Sequence, residues 1–255
     1  MALILVAHGT RRPGGVAMIE GLAAQVSTLV GGRVEVAFVD VVGPTPSEVL
    51  AAARAAGRPA IVVPAFLSRG YHVRADLPAH VAPSGHPNVT VTPALGPSGQ
   101  IARIVGDQLL ECGWRPNDSV VLAAAGTSDD KARADLHTAA TWLSALTGSR
   151  VTLGFAATGT RRWRGGRRPG RMPPQRRRVV VASYLLADGL FQQRLHGCGA
   201  DLVSAPLSTH PGLARLIANR FRRALPPVLA ATARHASRRT GPHQRAHAPA
   251  TRPVP

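Results

Sequence analysis

Cysteine is nearly absent from this chain: Cys112 and Cys198 are the only two in 255 residues, and no CxxC spacing occurs. A disulfide framework and a closed thiolate zinc site are thereby excluded, and a reducing, cytoplasmic setting fits. Long apolar runs are missing too; none approaches the roughly 20 residues that a bilayer requires, so no membrane association is expected. The N-terminus has no basic region and enters a strand at once, so no secretory signal is expected. Acidic residues are scarce, 13 against 31 Lys and Arg, for a formal net charge of +18.

That charge is unevenly placed. Residues 161–178, RRWRGGRRPGRMPPQRRR, hold nine arginines, and residues 222–255 hold seven more, with no Asp or Glu in either stretch. Together they hold 16 of the 31 basic residues, and the remaining 15 stand against 13 acids, so the body is close to neutral. Nucleic-acid binding through such clusters is the weakest reading, because they lack a folded surface with interleaved aromatics.

What is present is a regular alternation. LILVA (3–7), VEVAFVD (34–40), AIVVPAFL (60–67) and NVTVTPAL (88–95) read as strands. Helices are expected over about 15–30, with Val16, Ile19, Leu22, Ala23, Val26 and Val30 on one stripe, over 46–57, and from Gly99 onward. Apolar strands alternating with helices imply a parallel sheet covered on both faces. The pattern then repeats: SVVLAAAGTSDD (119–130) echoes LILVAHGTRR, VTLGFAATG (151–159) echoes VEVAFVDVVG, and RRVVVASYLLADGLF (177–191) echoes RPAIVVPAFLSRGYH. DLVSAPLSTHPGLARLI (201–217) echoes NVTVTPALGPSGQIARI. Such duplication predicts an α/β protein of two similar lobes, each a parallel sheet with helices on both faces, related by a pseudo-twofold axis with a cleft between them.

The expected organisation is an N-terminal lobe over 1–113, its duplicate over 114–222, and a disordered basic tail over 223–255. Residues 161–178 interrupt the second copy where a helix is due. Their prolines and glycines are incompatible with one, and a frame-shifted stretch of gene accounts for the segment better than a functional loop. Without that helix, the second lobe is expected to expose apolar sheet surface.

The duplication separates scaffold from chemistry. Ala7-His8-Gly9-Thr10 corresponds to Ala124-Ala125-Gly126-Thr127, so Gly-Thr builds the turn and caps the helix while His8 is dispensable to it. Gly70-Tyr71-His72 corresponds to Gly189-Leu190-Phe191, and again only the first copy carries the histidine. With strand order 2-1-3, His8, Asp40 and His72 share the carboxyl rim of the first sheet, where ligands bind in doubly wound folds. Their counterparts, Ala125, Thr158 and Phe191, are inert.

Two neutral imidazoles and a carboxylate suit a first-row divalent metal, and imidazole titrates near pH 6.5, so it can also move protons. Arg11, Arg12, Arg69 and Arg74 flank this rim and can grip carboxylates, which points to a polyanionic, metal-accepting substrate. No P-loop, GxGxxG, GxSxG or HExxH occurs. His80, His86, His137 and His196 are expected to face solvent, and His210 to cap or pack.

LVAHGT, FVDVVGPTPSEV and PAFLSRGYHVRADLP together resemble the sirohydrochlorin chelatases of the CbiX type, class II tetrapyrrole chelatases, in their long two-lobed form. The resemblance runs from about Leu3 to Phe221, leaving out 161–178. It implies His8 and His72 as catalytic, metal-binding residues, with Asp40 where relatives carry an acidic residue, often Glu. It implies insertion of Co2+ or Fe2+ into sirohydrochlorin, for cobalamin or siroheme biosynthesis, with no organic cofactor. A metal or tetrapyrrole carrier using the same residues is the alternative. A fused duplicate has less need of a partner, so a monomer is expected.

Overall fold

The computed structural model describes residues 1–157 and 177–226; most of the basic segment, residues 161–176, the counterpart position Thr158, and the tail from 227 lie outside the described residues. The first copy runs β1 (Ala2–Ala7), α1 (Pro13–Val30), β2 (Val34–Phe38), α2 (Pro46–Ala55), β3 (Ala60–Pro64), α3 (Leu77–Val81), β4 (Val89–Val91) and α4 (Gly99–Glu111). The second runs β5 (Ser119–Ala124), α5 (Asp130–Thr147), β6 (Val151–Phe155), β7 (Val179–Ser183), α6 (Leu190–His196), β8 (Leu202–Val203) and α7 (Pro211–Ala224).

Each copy forms a parallel four-stranded sheet, in the orders β2-β1-β3-β4 and β6-β5-β7-β8. The expected 2-1-3 arrangement is therefore present twice. Strand alternation sorts the apolar residues into layers. In β1, Leu3, Leu5 and Ala7 face a large shared core, while Ala2, Ile4 and Val6 face a second core roofed by Val49, Leu50 and Ala53 of α2 and Leu77 of α3. The amphipathic stripe of α1 buries Ile19, Leu22, Ala23 and Val26 as the 3.6-residue period requires.

The shared core is one cluster drawn from both copies, and the helices α1, α4, α5 and α7 fill it between the sheets. Here the structure adds something that chain order hides. The last helix of each copy crosses over: α4 packs on β7 and α5, and α7 packs on β3 and α1. Leu213, Ile217 and Phe221 of α7 are fully buried there, each worth about 1.5–3 kcal/mol by transfer from water. Neither sheet is covered by its own copy alone.

One stretch needs adding and one expectation correcting. Residues 72–84, assigned no element from the sequence, are helical throughout: a π-turn over His72–Asp76, then α3, then a short 3-10 turn over Ala82–Ser84. Pro78 and Pro83 each stand second in their segment, where the chain passes from one helical hydrogen-bond pattern to the next. The outer face of the second sheet is also covered at Val121, Ala123, Val179 and Val181, which are buried with Leu185 and with Leu195 and Cys198 of and beside α6. Arg178, counted with the basic stretch, is a structural residue that pairs with Asp118 and holds that carboxyl below its usual range by hydrogen bonding.

Candidate active site

The site begins where β1 ends. Ala7 is buried, and the next side chain, His8, emerges into solvent. Gly9 follows with φ 100°, and a Cβ there would lie 2.1 Å from the carbonyl oxygen of Asp40, so only glycine lets the β2 end approach this closely. The Asp40 amide donates to His8 O at 3.0 Å and fastens the two strand ends together. Thr10 does not cap α1; its hydroxyl accepts from the Arg12 amide at 3.2 Å, and Arg12 is the N-cap residue. Thr127 does the same for the Asp129 amide at 3.0 Å in the second copy, so the Gly-Thr turn is scaffold as read.

His72 opens the π-turn beyond β3, and its ring meets that of His8 edge to face, centroids 4.4 Å apart at 85°. Phe66 lies nearly parallel to the His72 ring at 6.0 Å and limits its rotation. The opposite edge of His72 is fixed by Asp76: Nδ1 lies 2.5 Å from Oδ2, across one turn of the π-helix. His8 Nδ1 lies 3.1 Å from the carbonyl of Gly9. A carboxylate and a carbonyl only accept, so in the neutral rings both Nδ1 atoms carry the proton and both Nε2 atoms keep a lone pair. π-turns inside helices recur at functional sites.

The structure thus brings His8 and His72 together, and it does not gather Asp40 with them. Among the described residues no group of three His, Cys, Asp or Glu side chains is placed to hold a metal ion. The Asp40 carboxylate instead accepts from the Val41 amide at 2.7 Å, its own neighbour in a turn where Val41 takes φ 73°. The carboxylate that orients an imidazole is Asp76, four residues after His72. That spacing was visible in the sequence, but within a stretch not read as helical.

The four arginines divide. Arg11 and Arg12 are exposed on the β1–α1 turn and make no ion pair with a described residue. Arg69 and Arg74 pair with carboxylates of the second copy. Arg69 grips Asp135 with Nη2 at 2.6 Å and Nε at 3.0 Å, and Arg74 pairs with Asp129. Burial alone would raise the Asp135 carboxyl, but hydrogen bonds from the Arg69 side chain and backbone together outweigh it and hold it below the usual range. Backbone donation from Ala132, then the Arg74 side chain, lowers Asp129 in the same direction.

Of the remaining histidines, His137 and His196 are exposed as expected. His80 and His86 are half-buried instead: His80 joins Ser47 Oγ at 2.9 Å, and His86 Nε2 lies 2.9 Å from Arg58 O. His210 is the N-cap of α7, accepting from the Gly212 amide at 3.1 Å.

The site is thus a pair of imidazoles at the strand rim of one of two similar parallel α/β lobes. Residues 2–112 match the family model described as CbiX. That match covers the lobe that carries both histidines. The chain is 36% identical over 80 residues to a sirohydrochlorin cobaltochelatase of Methanopyrus kandleri, a match spanning 31% of this chain and 56% of that relative's length. In fold it is similar to SirB from Bacillus subtilis in a structure with Fe3+, at a TM-score of 0.69 and 20% identity over 87% of this chain and 94% of that one. It also resembles CbiX, described as the terminal enzyme for siroheme biosynthesis in denitrifying bacteria, at a TM-score of 0.61 and 21% identity over 89% of this chain and 100% of that one. Among the described residues no helix is long and apolar enough to cross a membrane.

Proposed function

We propose that this protein is a chelatase that inserts a divalent metal, Co2+ or Fe2+, into the polycarboxylate tetrapyrrole sirohydrochlorin. The observation that carries the reading is the His8–His72 pair, 4.4 Å apart, in the lobe that matches CbiX. The ion is a substrate, and it arrives at two Nε2 lone pairs. A site with so few protein ligands releases its metal more readily than one with a full set, which suits transfer better than storage. As metal–nitrogen bonds form in the macrocycle, a dication replaces two pyrrole protons. The vacated imidazoles accept those protons, and Asp76 stabilises the imidazolium formed at His72. Arg11 and Arg12 offer the substrate carboxylates paired hydrogen bonds at the rim. Nothing in this sequence of steps needs an organic cofactor. Cobalt and iron are neighbours in the affinity order for nitrogen ligands, so the pair accepts both.

The test is spectrophotometric. Folded protein mixed with sirohydrochlorin and Co2+ or Fe2+ should change the tetrapyrrole absorption faster than a protein-free control, through many turnovers. Stoichiometric binding without turnover would make the protein a carrier, and no acceleration with either metal would falsify the chelatase reading.

A further inference from the structure

We propose that the second lobe, which has no histidine pair of its own, acts in the reaction of the first as a positioning element, through Asp135 and Asp129 of α5. The inference rests on the chelatase reading of the His8–His72 site. The segment that carries His72 is held by the second copy at four points. The hydroxyl of Tyr184, at the end of β7, donates to Leu67 O at 3.1 Å, and burial keeps that hydroxyl protonated. Asp135, whose side chain is 2% exposed, accepts from the Arg69 backbone amide at 2.8 Å as well as from its guanidinium, so it fixes main chain and side chain together. Gly70 lies against Ala132, where an added Cβ would stand 3.3 Å from the alanine methyl. Asp129 accepts from the Lys131 and Ala132 amides with Oδ1 while its other oxygen meets Arg74. His72 sits between these two clamps, three residues after Arg69 and two before Arg74.

The duplication supplies the control. Arg69 and Asp135 correspond to Asp188 and Met18, and there the amide of Asp188 meets only the thioether of Met18 at 3.3 Å. The loop–helix contact itself belongs to the scaffold, since Gly15 touches Asp188 O just as Gly70 touches Ala132. The charged fork occurs only where the loop carries a catalytic imidazole. A fork-shaped guanidinium–carboxylate pair fixes geometry more tightly than a thioether contact, and small displacements of a reacting group are costly in rate.

The experiment compares Asp135→Asn with Met18→Leu, its pseudo-symmetric counterpart, in the full-length protein. Asp135→Asn should lower kcat about 10- to 100-fold with KM for sirohydrochlorin nearly unchanged. Met18→Leu should leave both as they are. Histidine-ring NMR gives a readout independent of turnover: the His72 signal should move in Asp135→Asn, while that of His137, exposed on the same helix, should stay. Should Asp135→Asn fail to fold, Arg69→Lys keeps the charge, loses the fork, and should show the same pattern more weakly. Wild-type protein that inserts no metal would overturn the chelatase reading, and the NMR comparison would still decide the positioning role. Wild-type rates together with an unmoved His72 signal in Asp135→Asn would overturn the inference.

Discussion

At the end of β1 the chain reads Ala7-His8-Gly9-Thr10, and at the end of β5 it reads Ala124-Ala125-Gly126-Thr127. Both glycines take positive φ, 100° and 133°, and both threonines accept from the amide two residues on. Beyond β3 stand His72 and, four residues later, Asp76; the corresponding positions beyond β7 are Phe191 and Leu195. Leu195 is fully buried and Phe191 packs beside it, so the second copy turns inward as core what the first presents as a hydrogen-bonded imidazole. The same turn and the same strand order therefore support an imidazole-bearing rim or an apolar plug. In the proposed reading, the chemistry is a small set of side chains on a scaffold that does not need them.

If so, His8 can be removed with little structural cost. His8→Ala recreates the sequence that the second copy already folds, and its stability should match the wild type within the range of surface substitutions, about 0.5 kcal/mol. Metal insertion should fall by a factor of about 100 or more, the scale for losing a positioned acid–base group. Thermal melts and single-turnover rates check the two halves of this statement. A variant that melts far below the wild type would show that the two turns are not equivalent.

Asp76→Asn sharpens the comparison at the other histidine. The amide can still meet Nδ1 but no longer stabilises the imidazolium, so activity or metal affinity should fall by roughly 10- to 100-fold. Steady-state rates and metal titrations would reveal it. Unchanged rate and metal affinity would confine Asp76 to packing.

These residues were not equally legible beforehand. His8 and His72 stood out because each copy serves as a control for the other, and the sheet order followed from the alternation of apolar segments with helices. Asp76 was missed because its stretch was assigned no helix, and only in a helical turn does its spacing to His72 have meaning. Arg69 and Arg74 were seen as charges without partners, since their carboxylates lie 66 and 55 residues away on the other lobe. Asp40 stands differently from the two histidines. Strand order places it on the rim, but its backbone is what touches His8, and its carboxylate closes the local turn. The crossing of α4 and α7 could not be read from chain order, because either sheet accepts an amphipathic helix of that length.

The smallest effects on metal insertion should come from the two turn glycines, and here the lobes ought to differ in degree. An alanine at either position must adopt a φ that L residues avoid, at a cost of about 1–3 kcal/mol. At Gly126 the new methyl would stand 3.0 Å from the Cβ of Ala157, and a shift of a few tenths of an ångström relieves it. At Gly9 it would stand 2.1 Å from the main-chain oxygen of Asp40, which can withdraw only if the β2 end moves. That end is fastened by the Asp40 and Val39 amides to His8 O and Ala7 O, each at 3.0 Å. Gly9→Ala should therefore lower Tm further than Gly126→Ala, on a scale of roughly 2–4 °C per kcal/mol for a chain of this size. It should also displace the His8 backbone and slow metal insertion, whereas Gly126→Ala should melt earlier and react at the wild-type rate. Equal losses of activity from the two substitutions would mean that the second rim shares in the chemistry, and the division between a reactive and an inert lobe would have to be abandoned.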